Sequence, residues 1–214
     1  MNDFVELKLG DVLMFQRGFD ITKAEQTLGD VPIISSSGTS SFHNVWKKEA
    51  PGVVIGRKGT LGKVHYTDIN YWPHDTTLWI KDFKNNDPRF LYYFLKTLHL
   101  EHFDTGASNP TLNRNHLHKI TVWFPVDVGH QRKIASVLSV YDRLLRNYDQ
   151  QIACLEQMAE QVYREWFVRM RFPSHADTKI EKGVPEGWRN EGLSALGEYL
   201  NGYAFKPSLS LIHI

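Results

Sequence analysis

From Ile134 onward, apolar residues recur at Leu138, Tyr141, Leu145, Tyr148, Ile152, Leu155, Ala159, Val162 and Trp166, in alternating steps of 4 and 3. That rhythm places all of them on one stripe of an α-helix, the heptad seam of a coiled coil. No Gly or Pro interrupts the chain between Gly129 and Pro173. The pattern predicts one helix over residues 128–172, closed by Pro173, of roughly 40 residues and about 60 Å at the standard rise. An apolar stripe of that length drives association if left in water. The helix is therefore expected to be a spacer, an oligomerisation element or both. The alternative is a long helix buried inside its own domain.

Upstream, the pattern changes to short apolar or alternating pieces separated by Ser, Gly, Asn and Asp. These are Val31 to Ile34, Gly52 to Ile55, Thr77 to Ile80 and Ile120 to Phe124, each the length of a strand. One helix is expected at Pro88 to Leu100, with Asp87 placed to cap it and Pro88 in its first turn. Its aromatics Phe90, Tyr93 and Phe94 are expected in the core rather than as a base-stacking platform. Downstream, residues 173–192 read as linker, with Pro185-Glu186-Gly187-Trp188 near the end. An internal echo follows: Leu9-Gly10-Asp11-Val12-Leu13 is matched by Leu196-Gly197-Glu198-Tyr199-Leu200, and Arg17-Gly18-Phe19 by Asn201-Gly202-Tyr203. Such self-similarity points to two copies of one unit. The fold class expected is α+β, with a β-leaning domain over 1–127, a coiled-coil-type helix over 128–172, a linker over 173–192 and the start of a second domain over 193–214.

Composition narrows this picture only moderately. Hydrophobic residues make up 42% of the 214, ordinary for a globular protein, and no apolar run approaches the ~18 residues of a membrane span. No charged-then-apolar leader is present, so a cytoplasmic protein is expected. The single cysteine, Cys154, excludes an internal disulfide and a cysteine-cluster zinc site. Residues 1–127 carry 14 Lys/Arg against 14 Asp/Glu. Any nucleic-acid surface must then arise from local segregation of charge.

The chemistry concentrates in Gly56-Arg57-Lys58-Gly59-Thr60-Leu61-Gly62-Lys63. A nucleotide-binding P-loop needs four residues between its glycines and a helix after its lysine. Here five intervene, and Val64-His65-Tyr66 continues as a strand. The segment is expected to be a glycine-rich hairpin connection projecting Arg57, Lys58 and Lys63 from a sheet, or else a solvated turn with incidental cations. Other candidate chemistry is absent by pattern. Asn109-Pro110-Thr111 is not the signature of an amino-methyltransferase, and Ser35-Ser36-Ser37-Gly38 is loop composition without a nucleophile elbow. His116 and His118, expected on a strand edge, and His99 with His102 lack partners at metal-ligand spacing. No catalytic residue, metal or cofactor is expected.

Taken together, the opening LKLGDVLMFQRGF, the central VVIGRKGTLGKV, the string Gly106 to Asn113, ITVWFPVDVGHQRKIASVLSVYD, and PEGW followed by LGEYLNGYAF resemble the specificity subunit (HsdS) of Type I restriction-modification systems. The helix entry departs from the family's Pro-Pro-Leu-x-Glu-Gln, having Phe124-Pro125-Val126-Asp127-Val128-Gly129-His130-Gln131. The resemblance implies that 1–127 is a first DNA target-recognition domain, 128–172 the spacer helix and 193–214 the opening of a second recognition domain that breaks off early. It implies a non-catalytic adaptor that places methyltransferase subunits, and through them a restriction subunit, on double-stranded DNA. Under it, Arg57, Lys58 and Lys63 would neutralise phosphates, with Thr60 beside them and the N–H groups of Gly59 and Gly62 close to the duplex. Arg57 is the first candidate for base readout, with Arg17, Asn113 and Arg114 behind it. Ile134, Leu138, Tyr141, Leu145, Tyr148, Ile152, Leu155, Val162 and Trp166 would pair helices or dock subunits, including a homodimer. Two other roles remain open: the recognition tail of a restriction-methyltransferase fusion, and a decoy that binds methyltransferase subunits without reading DNA.

Overall fold

The alternating stretches of the N-terminal part pair mostly as antiparallel ribbons, and the driest of them takes the interior position. The computed structural model describes residues 4–103, 111–181, 183–189, 191–198 and 202. In chain order its first elements are β1 (Phe4–Lys8), α1 (Leu9–Val12), β2 (Met14–Arg17), β3 (Val31–Ser35), β4 (Gly38–His43), β5 (Gly52–Gly56), β6 (Val64–Thr67), β7 (Trp72–Pro73) and β8 (Thr77–Asp82). They are followed by α2 (Pro88–Lys96), α3 (Arg114–Leu117), β9 (Thr121–Pro125) and α4 (Val128–Tyr163). β5 is buried at all five positions and lies inside a four-stranded sheet ordered β2-β8-β5-β6. A strand covered on both faces reads as a continuous apolar run, as Val53-Val54-Ile55 does. A second sheet is ordered β4-β3-β7, with β3 and β7 parallel through Ile33 opposite Trp72. β1 pairs with β9 from Phe4–Pro125 to Lys8–Thr121, which ties the start of the chain to the residues just before the long helix.

Backbone contacts divide the chain into two units, Met1–Tyr148 and Asp149–Ile214. The main core of the first unit gathers Leu9, Leu13, Phe15, Val53, Ile55, Leu78, Leu91 and Phe124. α2 begins where the Asp87 carboxylate accepts a hydrogen bond from the Phe90 N–H at 2.8 Å, with Pro88 in the first turn. It ends at Lys96, and a separate 3₁₀ turn covers Leu100–Phe103. Phe90 and Tyr93 are buried, and Phe94 packs edge-on against Phe124 at 5.0 Å. These rings belong to the core, as expected.

α4 is 36 residues long, about 54 Å, and is shorter than the pattern predicts. At Arg164 the α-helix gives way to a π turn running to Val168, closed by the Arg169 N–H on the Arg164 carbonyl at 2.8 Å. The wider turn takes Trp166 out of heptad register. Aromatic packing accompanies the change: Phe167 contacts Tyr163 at 5.1 Å and Trp188 at 5.5 Å, and Phe172 contacts Trp188 at 5.3 Å. Pro173 therefore does not end the helix. The stretch expected to be linker contains an antiparallel pair, Ile180–Glu181 with Val184–Pro185, and a 3₁₀ turn at His175–Asp177, and the expected start of the second domain has a 3₁₀ turn at Leu193–Ala195. Of the internal echo, Leu196 to Glu198 are exposed; Tyr199 to Asn201, Tyr203 to Ile214 and the Gly106 to Pro110 part of the string Gly106 to Asn113 lie outside the described residues.

α4 holds to the first unit by a face other than its apolar seam. Gln131, Ala135 and Ser139 are the buried positions. The Gln131 amide donates to the Asn86 side chain at 2.7 Å and to the Pro125 carbonyl at 2.8 Å, and accepts from the Asp87 N–H at 2.9 Å. One turn past Ser139, Asp142 accepts from the Tyr93 hydroxyl at 2.6 Å. Burial and this neighbouring carboxylate both push the Tyr93 phenol up, so it stays a donor. Ile134, the first seam residue, packs against the main core. The seam beyond it is exposed, with Tyr141 and Leu145 each at 62%.

Candidate nucleic-acid interface

Residues 57–63 form the loop of the antiparallel hairpin between β5 and β6, paired from Gly52–Thr67 to Ile55–Val64. The Gly56 N–H donates to the Lys63 carbonyl and the Gly62 N–H to the Gly56 carbonyl, both at 2.9 Å. A Cβ on Gly56 would lie 1.9 Å from the Thr60 carbonyl oxygen. One on Gly62, whose φ is +70°, would lie 2.5 Å from the Glu101 nitrogen. These glycines serve the loop's own closure. The Gly62 N–H is thus committed inside the loop, which corrects the expectation that it meets DNA. Gly59, at φ +75°, is exposed with nothing crowding it, and Thr60 beside it is also exposed.

The base of this loop gathers cations from three distant parts of the sequence. The N–H groups of Arg57 and Lys58 both donate to the Thr76 carbonyl, at 2.8 and 3.0 Å, and the Leu112 N–H donates to the Arg57 carbonyl at 3.0 Å. Lys58 also bridges to Thr111 in β fashion, so Asn113 and Arg114 follow directly. Asn113 caps α3 by accepting from the Asn115 N–H at 2.9 Å. Arg17 arrives at the end of β2, opposite Leu78. Next to it Gly18 packs so tightly that a Cβ would sit 2.1 Å from the His74 carbonyl oxygen. The result is a hollow of about 310 Å³ lined by Arg17, Arg57, Leu78, Thr111, Leu112, Asn113 and Arg114. Three guanidinium-bearing residues and an amide line it, and among the described residues no acid does.

The charge behind the hollow is organised by Asp75. Its Oδ2 accepts from Arg17 Nη2 at 2.7 Å, its Oδ1 faces His74 Nδ1 at 3.2 Å, and its main-chain carbonyl accepts from Arg57 Nη1 at 3.4 Å. Burial opposes ionisation of Asp75, but the Arg17 hydrogen bond and the charges of His74, Arg17 and Lys58 outweigh it and hold the carboxyl below its ordinary range. Burial, and then repulsion from Arg17, lowers the Arg57 guanidinium, with Asp75 opposing. It remains a cation at any physiological pH. Asp20, His74 and Asp75 bring possible ligand atoms within 4.8 Å of one another, but Asp75 Oδ2 already holds Arg17 and His74 Nδ1 already accepts from the Thr76 N–H at 3.4 Å.

The histidines fall differently from expectation. His116 lies on α3 and His118 is its C-cap, not on a strand edge, because the Asn113 cap starts a helical turn there. His118 Nε2 accepts from the Phe15 N–H at 2.9 Å and its ring stacks on Phe15 at 5.9 Å. Burial, helped by the Arg114 charge, lowers its pKa. Glu101 approaches His99 and His102 at 3.3 and 3.9 Å in an exposed cluster.

Of the loop cations, Arg57 alone lines the hollow. The Lys58 charge contributes to keeping the Asp75 carboxyl low, whereas Lys63 donates to the Ser37 carbonyl at 3.1 Å and lines a separate recess of about 440 Å³ with His65, Tyr92 and Lys96. The sequence reading missed Asp75 and His74, which sit in an ordinary polar turn between strands. It also missed Lys47 over the Trp72 ring at 4.7 Å and Lys48 over Trp79 at 4.4 Å. Only the adjacency of two lysines to Trp46 hinted at the latter.

Comparison with known proteins agrees with this architecture. A family model described as Type I restriction modification DNA specificity domain matches residues 1–157. The Type I restriction enzyme MjaIX specificity subunit of Methanocaldococcus jannaschii is 29% identical over 202 residues, covering 80% of this chain and 45% of that protein. Among solved structures, the S subunit of a Type I restriction-modification system from M. genitalium matches with a TM-score of 0.68 at 19% identity, over 77% of this chain and 46% of that one. A chain from a type I R-M system solved for its complex assembly and conformational transition matches at 0.53 and 14% identity, over 80% and 44%. The structural likenesses show a shared α+β fold, and the chain spans about half the length of the relatives it matches. With well over half of its 214 residues matched, this chain belongs to the family of Type I restriction modification DNA specificity domains.

Proposed function

We propose that this chain reads a short duplex DNA sequence and directs partner methyltransferase and restriction subunits of a Type I restriction-modification assembly to it. The observation that carries the reading is the hollow where Arg17, Arg57 and Arg114 meet beside Asn113. A fixed arginine fork matches the O6 and N7 acceptors of guanine, and an asparagine amide matches adenine. Lys58, Gly59 and Thr60 along the hairpin, and Lys63 beside it, contact phosphates and set the register. Residues 1–127 are the recognition domain, 128–172 the spacer, 173–192 the connection and 193–214 the start of a second recognition unit. The chain itself performs no chemistry and holds no cofactor. Methylation and cleavage belong to its partners, which work with it in the cytoplasm. The exposed seam from Leu138 to Val162 docks methyltransferase subunits or a second copy of this chain. Among the described residues no helix is long and apolar enough to cross a membrane.

The test is a selection from random duplex DNA at a stated, near-physiological salt, with and without a methyltransferase subunit. A short fixed sequence is expected. Arg57→Ala should relax one position of it at a cost of about 1–3 kcal/mol, whereas Lys58→Ala should weaken all sequences alike and reduce the salt slope by about one. If the methyltransferase subunit binds but no sequence is ever enriched, the chain is a decoy and not a reader.

A further inference from the structure

We propose that Asp75 is a positioning residue for DNA reading, holding Arg17 and Arg57 as directed forks for base edges and withholding Arg17 from phosphates. This rests on the DNA reading above and assigns a role to a residue that does not line the hollow. Among the described residues Asp75 bonds both arginines, by its carboxylate to Arg17 and by its main-chain carbonyl to Arg57. Its side chain is 19% exposed against 53% for Arg17, so it works from behind a cation that faces solvent. The main-chain bond is independent of the side chain, which leaves Arg17 as the arginine that a substitution at Asp75 sets loose.

The physical need for such a residue follows from what a free arginine does. A guanidinium on a flexible stem beside a duplex takes the nearest phosphate, which carries no sequence information. Arg17 engages Asp75 through Nη2, and its remaining N–H donors keep a fixed direction. An acid placed there also repels phosphate from the base of the hollow. The arrangement trades overall affinity for discrimination between sequences.

The experiment compares wild type with Asp75→Asn on the selected sequence and on random duplex, as a function of salt. The variant is expected to bind random duplex about three- to tenfold more tightly, with a salt slope steeper by about 0.9, the value of one added phosphate contact. Its ratio of specific to random affinity should fall about tenfold. Adding Arg17→Gln should abolish the gain on random DNA. A gain that persists in the Arg17→Gln background means that Asp75 acts only through bulk charge, and the inference is wrong. Equal weakening on both DNAs with an unchanged slope marks a structural role and equally overturns it. Should Asp75→Asn not fold, Arg17→Lys keeps the charge and loses the fork, so selectivity should drop at constant slope. Nitrogen-15 NMR of the Arg17 guanidinium in the DNA-free protein separates the two claims. Free rotation there overturns this inference, whereas a restrained Arg17 in a protein that enriches no sequence overturns the DNA reading and leaves the restraint standing.

Discussion

His118 accepts a hydrogen bond from the Phe15 N–H through Nε2, an arrangement available only to the neutral ring. Its folded pKa is lowered by burial and by Arg114, while an unfolded histidine titrates near pH 6.5. The stability it contributes is therefore complete above about pH 6.5 and lost as pH falls through the lower folded value. Urea midpoints should decline from pH 7 to pH 5, and His118→Gln, which keeps an acceptor but cannot titrate, should flatten that decline. Parallel profiles for the two proteins would rule the assignment out. His65, lowered chiefly by burial against its bond to Ser36, adds a slope of the same sign. At this scale Arg57 was legible because it directly follows a clear apolar strand. Asp75 was not, because its role depends on Arg17, 58 residues away, and a polar turn residue carries no mark of its partner.

At the scale of elements, α4 carries two stripes with different tasks. The apolar seam announces itself by periodicity. The docking stripe of Gln131, Ala135 and Ser139 is polar and small, and nothing in a hydrophobic pattern distinguishes it from a solvated face. Gln131 has no exposed surface and pairs with three groups, one buried and two part-buried, so Gln131→Leu should cost about 2–4 kcal/mol despite its apolar character. Equilibrium unfolding of residues 1–214 reads this; a change below about 0.5 kcal/mol would mean that the helix is held by its apolar contacts alone. The end of the helix was misread for a related reason. Heptad counting sees Trp166 as one more seam position, while the contacts of Phe167 and Phe172 with Trp188 reach across some twenty residues and accompany a wider turn.

For the whole molecule, the exposed seam is the feature that most demands a partner, since contiguous exposed apolar surface of this kind marks an association site. Sedimentation over a dilution series is expected to show reversible dimer formation, because a self-complementary stripe on one helix closes with two-fold symmetry. Replacing Leu145 and Ile152 by Glu should leave a folded monomer. A wild type that stays monomeric at the highest concentration would rule out pairing of two copies through the seam.

The chain by itself determined the elements whose signal is local: the long helix from its heptads, β5 from its buried β-branched run, the capped start of α2 from Asp87-Pro88, and the hairpin from its glycines. β1, β2 and β4 escaped, because their burial alternates weakly or not at all and each is a strand only by virtue of its partner. Tertiary structure alone decided which cations share a site. Hydrogen bonds from Arg57 and Lys58 to Thr76, from Leu112 to Arg57, and from Gly18 to Thr77 bring residues 17, 57 and 114 to one hollow. Hydrophobic periodicity records which side of an element is dry, whereas the meeting of three arginines depends on pairings between distant strands and loops that no local pattern encodes.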